Sequence, residues 1–217
     1  MRTELDSQLN ELAQRLYEMG ERGQEAISRC VDALVSADVT LARAVMADDD
    51  TVDHEERDIE DLCMRLLLRQ QPVASDLRYV SAALKMITDM ERIADQAADI
   101  CEVVTMLAGR TLLSLHELFT RMGETVKRMQ RDALEAFSKR DLEQARRVIR
   151  MDDEVDALFN RAKSELIACF TQKDDAEIAL DMLMIAKYFE RMGDHAVNIA
   201  EWVEYAITGR HKGQKIG

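Results

Sequence analysis

Two ten-residue segments of this sequence carry the same ionisable side chains at the same spacing. Residues 91–100 read ERIADQAADI and residues 190–199 read ERMGDHAVNI. In each segment an Asp follows a Glu by four residues, a spacing that places both carboxylates on one face of an α-helix. The matched positions are Glu91 and Asp95 in the first segment and Glu190 and Asp194 in the second, with Asp99 and Asn198 one turn further along.

A second pair of carboxylates precedes each segment, Asp49 with Asp53 and Asp152 with Asp156. If the helices that carry the two kinds of pair run antiparallel in a bundle, the carboxylates of each repeat converge on one surface. Such carboxylates repel one another unless a cation intervenes. Ligation by oxygen alone suits a hard ion such as Mg²⁺, Mn²⁺ or Ca²⁺, or iron. The spacing therefore predicts one metal site in each repeat.

The alternative is that these pairs form a solvated acidic face neutralised by Arg92 and Arg191. The histidines do not decide between the two interpretations. No acidic residue lies three positions before His54 or His195, so the Glu-x-x-His pairs of ferritin-like di-iron sites are missing. His195 is interpreted as a surface or interhelical histidine rather than a ligand. Because no nucleophile elbow or phosphate-binding glycine loop is found either, an enzyme is the weaker hypothesis.

Long helices are expected to position these carboxylates. The 217 residues include one proline, eight glycines and thirteen methionines, and 47% are hydrophobic, which favours packed helices over a turn-rich fold. Apolar periodicity predicts a first helix at 4–35, a second that Asp38 caps and Pro72 ends, and a third that begins with Ser75 or Asp76 as its cap. The remaining helices are predicted at 113–138, 141–171 and 174–207.

The chain contains an internal repeat, which predicts an all-α fold of two tandem three-helix bundles. Residues 49–53 recur 103 positions later, whereas the third helices match at an offset of 99. The domains are therefore expected at 1–109 and 110–208, followed by a disordered polar tail at 209–217. In both third helices small or apolar residues alternate in steps of four and three, from 83 and from 182, which predicts a coiled-coil-like seam.

Charge and composition exclude several classes of partner. A net charge of −13 argues against binding to nucleic acid and against unaided binding to an anionic membrane. The sequence contains neither an apolar run of membrane-spanning length nor an apolar signal core, so a cytoplasmic protein is expected. Four widely separated cysteines, Cys30, Cys63, Cys101 and Cys169, are interpreted as reduced core residues.

The two acidic segments, together with QPVASDLR at 71–78 and the duplicated helical pattern, resemble the PhoU family of bacterial phosphate signalling. This resemblance implies two three-helix bundles related by a pseudo-two-fold axis, each with a metal site at an E(D)-x-x-x-D motif. By position the motif residues are Glu91 and Asp95 in one bundle and Glu190 and Asp194 in the other. Family members are associated with iron or zinc clusters and with Mg²⁺ or Mn²⁺. Ala94 replaces the usual glycine of the first motif, which favours the second site.

The same resemblance implies a negative regulator of phosphate uptake and of the phosphate-starvation response. Its expected partners are the ATPase of the phosphate ABC transporter and the phosphate-sensing histidine kinase, with a homodimer as its own assembly and with membranes reached only through partners. We expect bound metal to set the surface that these partners contact. The alternatives are a carboxylate-bridged metalloenzyme and a structural helical scaffold.

Overall fold

The computed structural model describes residues 2–110, 115–168, 173–212 and 214–215. Within them the chain forms six helices and one pair of strands, each two residues long. These elements are α1 (Arg2–Ser36), α2 (Val39–Gln70), α3 (Ser75–Met106), α4 (His116–Lys139), α5 (Leu142–Ala168), α6 (Lys173–Thr208), β1 (Arg210–His211) and β2 (Gln214–Lys215). The predicted all-α class is therefore confirmed. Cys169, the predicted start of the fourth helix at 113 and the predicted end of the fifth at 171 lie outside the described residues.

The beginnings and ends of the helices follow from local chemistry in most places. Asp38 caps α2, because its Oδ1 accepts hydrogen bonds from the backbone amides of Thr40 at 2.9 Å and Leu41 at 3.0 Å. Asp141 caps α5 in the same way, accepting from the Gln144 amide at 2.9 Å. At the other end of α2, Pro72 stops the helix, as predicted.

The start of α3 differs from the prediction that Ser75 or Asp76 caps it. The N-cap residue is Ala74, which has a φ of 50° and makes no side-chain capping hydrogen bond. The Val73 carbonyl instead accepts from the Asp76 amide at 3.2 Å. A tight backbone turn therefore supplies the acceptor that a capping side chain provides elsewhere.

The helices form two three-helix units, α1–α2–α3 and α4–α5–α6, that share one continuous core. α3 packs along α6, and α1 packs along α4. One aromatic contact spans the boundary between the units, since the rings of Tyr79 and Phe137 stack with centroids 4.2 Å apart. In this core Cys30 and Cys101 lie together, and burial raises the pKa of the Cys30 thiol well above its ordinary value.

The predicted seam of the third helices forms the centre of this core. The side chains at its positions are buried in both repeats apart from the last position of each. They are Ala83, Ile87, Met90, Ala94, Ala97, Cys101 and Val104 in α3, and Met182, Ala186, Phe189, Ala196, Ala200 and Val203 in α6. None of the described helices has the length and apolar character needed to cross a membrane.

The described part of the tail is not disordered, contrary to expectation. After Gly209, whose φ is 74°, β1 pairs antiparallel with β2. The His211 ring stacks on Trp202 of α6 with centroids 3.9 Å apart, and Lys212 forms an ion pair with Glu201 at 3.2 Å. The tail therefore folds back because glycine permits the reversal and α6 provides an aromatic surface.

Two equivalent glycines lie where α1 meets α4. A Cβ added to Gly20 would lie 2.1 Å from Leu134 Cδ1, and one added to Gly123 would lie 2.4 Å from Val31 Cγ2. Each unit therefore uses a glycine of its first helix to allow close approach of the other unit.

We expect Gly123→Ala to destabilise the protein by about 1–3 kcal/mol, because its methyl group overpacks against the short, stiff side chain of Val31. Urea unfolding monitored by circular dichroism checks this. Helix propensity alone predicts the opposite sign, since Gly to Ala in a helix interior stabilises by about 1 kcal/mol. A variant more stable than wild type would therefore contradict the close packing.

Candidate metal centres

In the first unit, α2 and α3 bring together carboxylates that are about 40 residues apart in the sequence. Oxygens of Asp53, Glu91 and Asp95 all lie within 4.8 Å of one another. No other group of three His, Cys, Asp or Glu side chains in the described ranges meets that spacing. We call these residues, together with Asp49, the first cluster.

Burial and the crowding of like charges raise the pKa values of two residues of the first cluster, Asp49 and Glu91. Burial, followed by the charges of Asp95 and Asp53, raises the pKa of Asp49 to about 6. Burial and Asp95 raise the pKa of Glu91 to about 7, against the opposing effect of Arg92. The folded protein therefore holds these carboxylates in an environment that disfavours their ionised forms.

Neutralisation from within the protein is incomplete at the first cluster. Arg92 donates to Asp95 Oδ2 at 2.7 Å and lies 3.4 Å from Glu91 Oε2, but its side chain is half exposed. Glu91 Oε2 is buried and accepts no hydrogen bond from the described residues. A buried carboxylate oxygen without a donor, beside two further carboxylates, fits the all-oxygen ligand set of a hard divalent cation.

The second unit brings together the equivalent carboxylates, Asp152 and Asp156 of α5 with Glu190 and Asp194 of α6, which we call the second cluster. Burial, followed by Asp156 and Asp194, raises the pKa of Asp152 to about 6. Burial and Glu190 raise the pKa of Asp194, while Lys187 acts in the opposite direction. The predicted convergence of acidic pairs thus occurs in both units.

The two clusters differ in how closely their carboxylate oxygens approach one another. Gly193 does permit close packing, since an added Cβ would lie 3.2 Å from Val155 Cγ1 and 3.5 Å from Asp152 Oδ1. The close approach of oxygens from three different carboxylates is nevertheless found in the first cluster. In the second, Lys187 contacts Glu190. Arg92 contacts the carboxylates of the first cluster and Lys187 those of the second, so the neighbouring positive charge comes from a different position in each unit.

Two of the predicted site residues, Asn198 and Asp99, lie beside the clusters. Asn198 donates to Asp89 Oδ1 at 3.1 Å, and His195 Nδ1 lies 2.8 Å from the same oxygen. Asn198 therefore belongs to the contact between α3 and α6 and not to the carboxylate pair of α5. Burial and Asp95 raise the pKa of Asp99, and Arg191 across the same helix pair opposes this. His195 is interhelical, as interpreted from the sequence.

Three residues near the clusters were not identified from the sequence. Glu56 Oε1 accepts a hydrogen bond from Thr88 at 2.9 Å on the edge of the first cluster, and Asp89 joins the two units. Lys187 is the third. Glu56 and Lys187 each lie three residues from a predicted site residue, so helical spacing was the available signal.

An open cavity of about 200 Å³ borders the first cluster between α1 and α2, and Asp49 and Ala94 are among its lining residues. Its arginines are already paired, Arg22 with Glu55 at 2.5 Å and Arg29 with Asp48 at 2.6 Å. The cavity therefore gives solvent a route to Asp49 without presenting unpaired cationic groups to an anion.

Comparison with known proteins agrees with this architecture. The family model described as "PhoU domain" matches residues 16–104 and 119–203, one match in each three-helix unit. The chain belongs to the PhoU family. It is 35% identical to the phosphate-specific transport system accessory protein PhoU homolog of Clostridium acetobutylicum over 94% of each chain. It is 34% identical to the Pseudomonas putida protein of the same description, over 98% of this chain and 85% of that one.

Solved PhoU structures have the same fold. The crystal structure of PhoU from Pseudomonas aeruginosa superposes with a TM-score of 0.89 at 32% identity, covering 94% of this chain and 99% of that chain. PhoU from Streptococcus pneumoniae, a phosphate transport system regulatory protein, gives a TM-score of 0.89 at 28% identity, over 95% and 98% of the two chains. The predicted family and fold class are both confirmed.

In EDTA, we expect the melting temperature to fall as the pH is raised from about 5 to about 8. The folded pKa of Glu91, about 7, exceeds its ordinary value of 4.5. Protonation therefore favours the folded state below the ordinary value, and this contribution is lost as the pH rises through the folded value. Differential scanning fluorimetry at several pH values measures the slope.

The matched variant for this measurement is Glu91→Gln, which cannot lose a proton and should show a shallower slope between these pH values. Equal slopes for the two proteins would show that Glu91 does not contribute to the pH dependence.

Proposed function

We propose that this protein is a cytosolic negative regulator of phosphate uptake and of the phosphate-starvation response. It acts as an adaptor that contacts the ATPase of the phosphate ABC transporter and the phosphate-sensing histidine kinase. The observation that carries this proposal is the match to phosphate-specific transport system accessory proteins over nearly the whole chain. Both three-helix units take part in that match.

An adaptor role also suits the chemistry of the described residues. The histidine nearest the second cluster, His195, is engaged through Nδ1 by Asp89. The carboxylates that lie together are acidic oxygen donors, which suit ion binding better than nucleophilic catalysis. We therefore propose a regulatory role for the clusters and not a catalytic one.

The proposed role of the clusters is to couple ion binding to partner contact. Asp53, Glu91 and Asp95 would hold an Mg²⁺, Mn²⁺, iron or zinc ion in the first unit. A bound cation would neutralise the carboxylates that otherwise repel one another. The surface between α2 and α3 would then carry a different charge in the bound and free states, and a partner would distinguish them by that charge.

A homodimer is part of the same proposal. Several apolar side chains near the turn between α2 and α3 are exposed, with Leu68 at 73% and Val73 at 74% of full accessibility. Exposed apolar side chains that lie together favour a protein contact. Light scattering coupled to gel filtration measures the assembly directly.

Deletion of the gene is expected to raise expression of phosphate-starvation genes in phosphate-replete medium, and the wild-type gene should restore repression. The tagged protein should also co-purify with the transporter ATPase. A deletion strain with unchanged expression and unchanged phosphate uptake would contradict the regulatory proposal.

Purified protein should gain thermal stability with Mn²⁺. At 100-fold excess over the dissociation constant the expected stabilisation is about 2.7 kcal/mol, equivalent to a rise of about 5–10 °C for a chain of this size. Asp95→Asn should abolish the rise. Asp58→Asn, an equal change of charge at an exposed position of α2, serves as the control and should keep it. If none of Mn²⁺, Mg²⁺ and Fe²⁺ raises the melting temperature of the wild-type protein, the proposed coupling between ion binding and partner contact has no basis.

A further inference from the structure

The hairpin formed by α4 and α5 has a net positive charge, although the chain as a whole is acidic. Residues 121–150, which span most of α4 and the first part of α5, contain nine Arg and Lys and five Asp and Glu, a net charge of +4 in a chain of net charge −13. The equivalent residues of the first repeat, 18–47, contain three basic and five acidic residues, a net charge of −2. The two equivalent hairpins therefore differ in the sign of their charge.

Folding of the repeat does not account for this difference. At the offset of 103, eight of the nine basic residues replace a neutral or acidic residue of the first repeat, and seven of these eight are exposed. Arg147 and Arg150, for example, replace Ala44 and Ala47. The first unit forms the same three-helix arrangement without these cations, so an interaction outside the chain is the better explanation for them.

Arg147 and Arg150 line an open groove of about 520 Å³ between α4 and α5, with Arg128 on its α4 side. Arg128 is paired with Glu154 at 2.9 Å. Arg147, in contrast, reaches only Asp141, at 4.0 Å. Arg150 forms no ion pair within the part of the chain that the structure describes. Two guanidinium groups one helical turn apart are therefore left with little or no compensating charge.

The acidic side chains of the groove do not neutralise this pair of arginines. Asp132 is contacted by Arg131 at 3.0 Å, and Glu154 is contacted by Arg128. Asp153 also lines the groove. A guanidinium group binds a carboxylate through two parallel N–H donors. Two such groups, spaced by three residues on one exposed helix face, suit a segment that presents carboxylates along its length.

A protein partner fits this groove better than a membrane surface or a nucleic acid. An anionic bilayer or a phosphate backbone presents one sign of charge over a broad area, which the lining residues Asp132, Asp153 and Glu154 would oppose. A protein segment can present carboxylates to the arginines and other groups to these acidic residues. Met151, which is half-buried and lines the same groove, adds an apolar and adaptable contact.

We propose that Arg147 and Arg150 form a docking surface for an acidic segment of the transporter ATPase, which lies in the groove between α4 and α5. This inference rests on the proposed contact with that ATPase and specifies the surface of the chain that makes it. The relatives are named as accessory proteins of a phosphate-specific transport system, which favours a component of that system as the partner. The surface belongs to the second unit and uses none of the carboxylates of either cluster.

The test is binding of the purified protein to the purified ATPase subunit of the phosphate transporter, measured by biolayer interferometry. Arg147→Glu combined with Arg150→Glu should weaken binding at least about ten-fold, because like charges then face one another across the contact. Arg147→Lys combined with Arg150→Lys retains the charge and should bind more tightly than the Glu variant. Wild-type binding should weaken as NaCl is raised from about 0.05 to about 0.3 M, because salt screens exposed charges.

The matched control is Arg65→Glu combined with Arg69→Glu, which changes the net charge equally at two exposed arginines of α2 in the first unit. This control should leave the affinity nearly unchanged, because the contact depends on local charge rather than on the total. Arg and Glu have similar helix propensities, so each variant should keep its helices. Circular dichroism and the melting temperature of each variant verify that the fold is intact.

The outcomes separate this inference from the proposal on which it rests. Unchanged binding in the variant with Glu at 147 and 150, or equal weakening in the control, would overturn the docking surface and leave the proposed contact with the ATPase standing. Binding of wild type to phosphatidylglycerol vesicles that this variant loses would assign the groove to lipid and would also overturn it. Failure of wild type to bind the ATPase would overturn both the contact and its surface. The regulatory role is measured separately by gene deletion.

Discussion

Close packing of α3 and α6 is the constraint on which the rest of the structure depends. The buried seam of each helix determines which of its side chains are turned towards α2 or α5. Glu91 and Asp95 lie beside the seam, and they meet Asp53 of α2 because α2 packs on the same helix. The free energy gained by burying the apolar seam therefore holds like charges together, and the raised pKa values of Glu91 and Asp49 are the electrostatic cost.

The polar contacts between the units show how the pseudo-symmetry is broken. Asp89 of α3 binds His195 and Asn198 of α6, but the position equivalent to Asp89 in the second repeat is Tyr188. The tyrosine lies near Asp99, and burial followed by the charge of Asp99 raises its pKa. One side of the α3–α6 contact is thus a carboxylate that meets an imidazole and an amide, whereas the other is a phenol beside a carboxylate.

Divergence between repeats is informative because both copies retain the same backbone arrangement. The acidic pairs are kept in both, so the packing that creates carboxylate repulsion is common to them. They differ in the source of the positive charge that meets the carboxylates. On the Glu91 face this charge is Arg92. On the Glu190 face it is Lys187, whose ammonium group also lies over the Phe159 ring. A duplicated fold can in this way keep one stable scaffold and assign different electrostatic roles to its halves.

Much of this protein could be predicted from its sequence. Periodicity of 3.6 residues, the cap at Asp38 and the stop at Pro72 predict helices, since these signals act within a few residues of chain. The repeat offsets predict two three-helix units and identify the acidic pairs, because spacing by four places side chains on one face of a helix. The cap of α3 was predicted wrongly because a backbone turn at Ala74 replaces the side chain.

Only the tertiary structure decided which residues of neighbouring helices each side chain contacts. Asn198 continues an acidic stripe in the sequence, yet it turns to Asp89 because α6 lies against α3 at that height. The tail folds back because Trp202 offers a ring to His211. The greater tightness of the first cluster likewise depends on contacts between residues far apart in the chain. Sequence spacing determines which side chains are neighbours within one helix, whereas the packing of the helices determines which side chains of different helices meet. The charge balance of the two clusters is therefore set by helix packing.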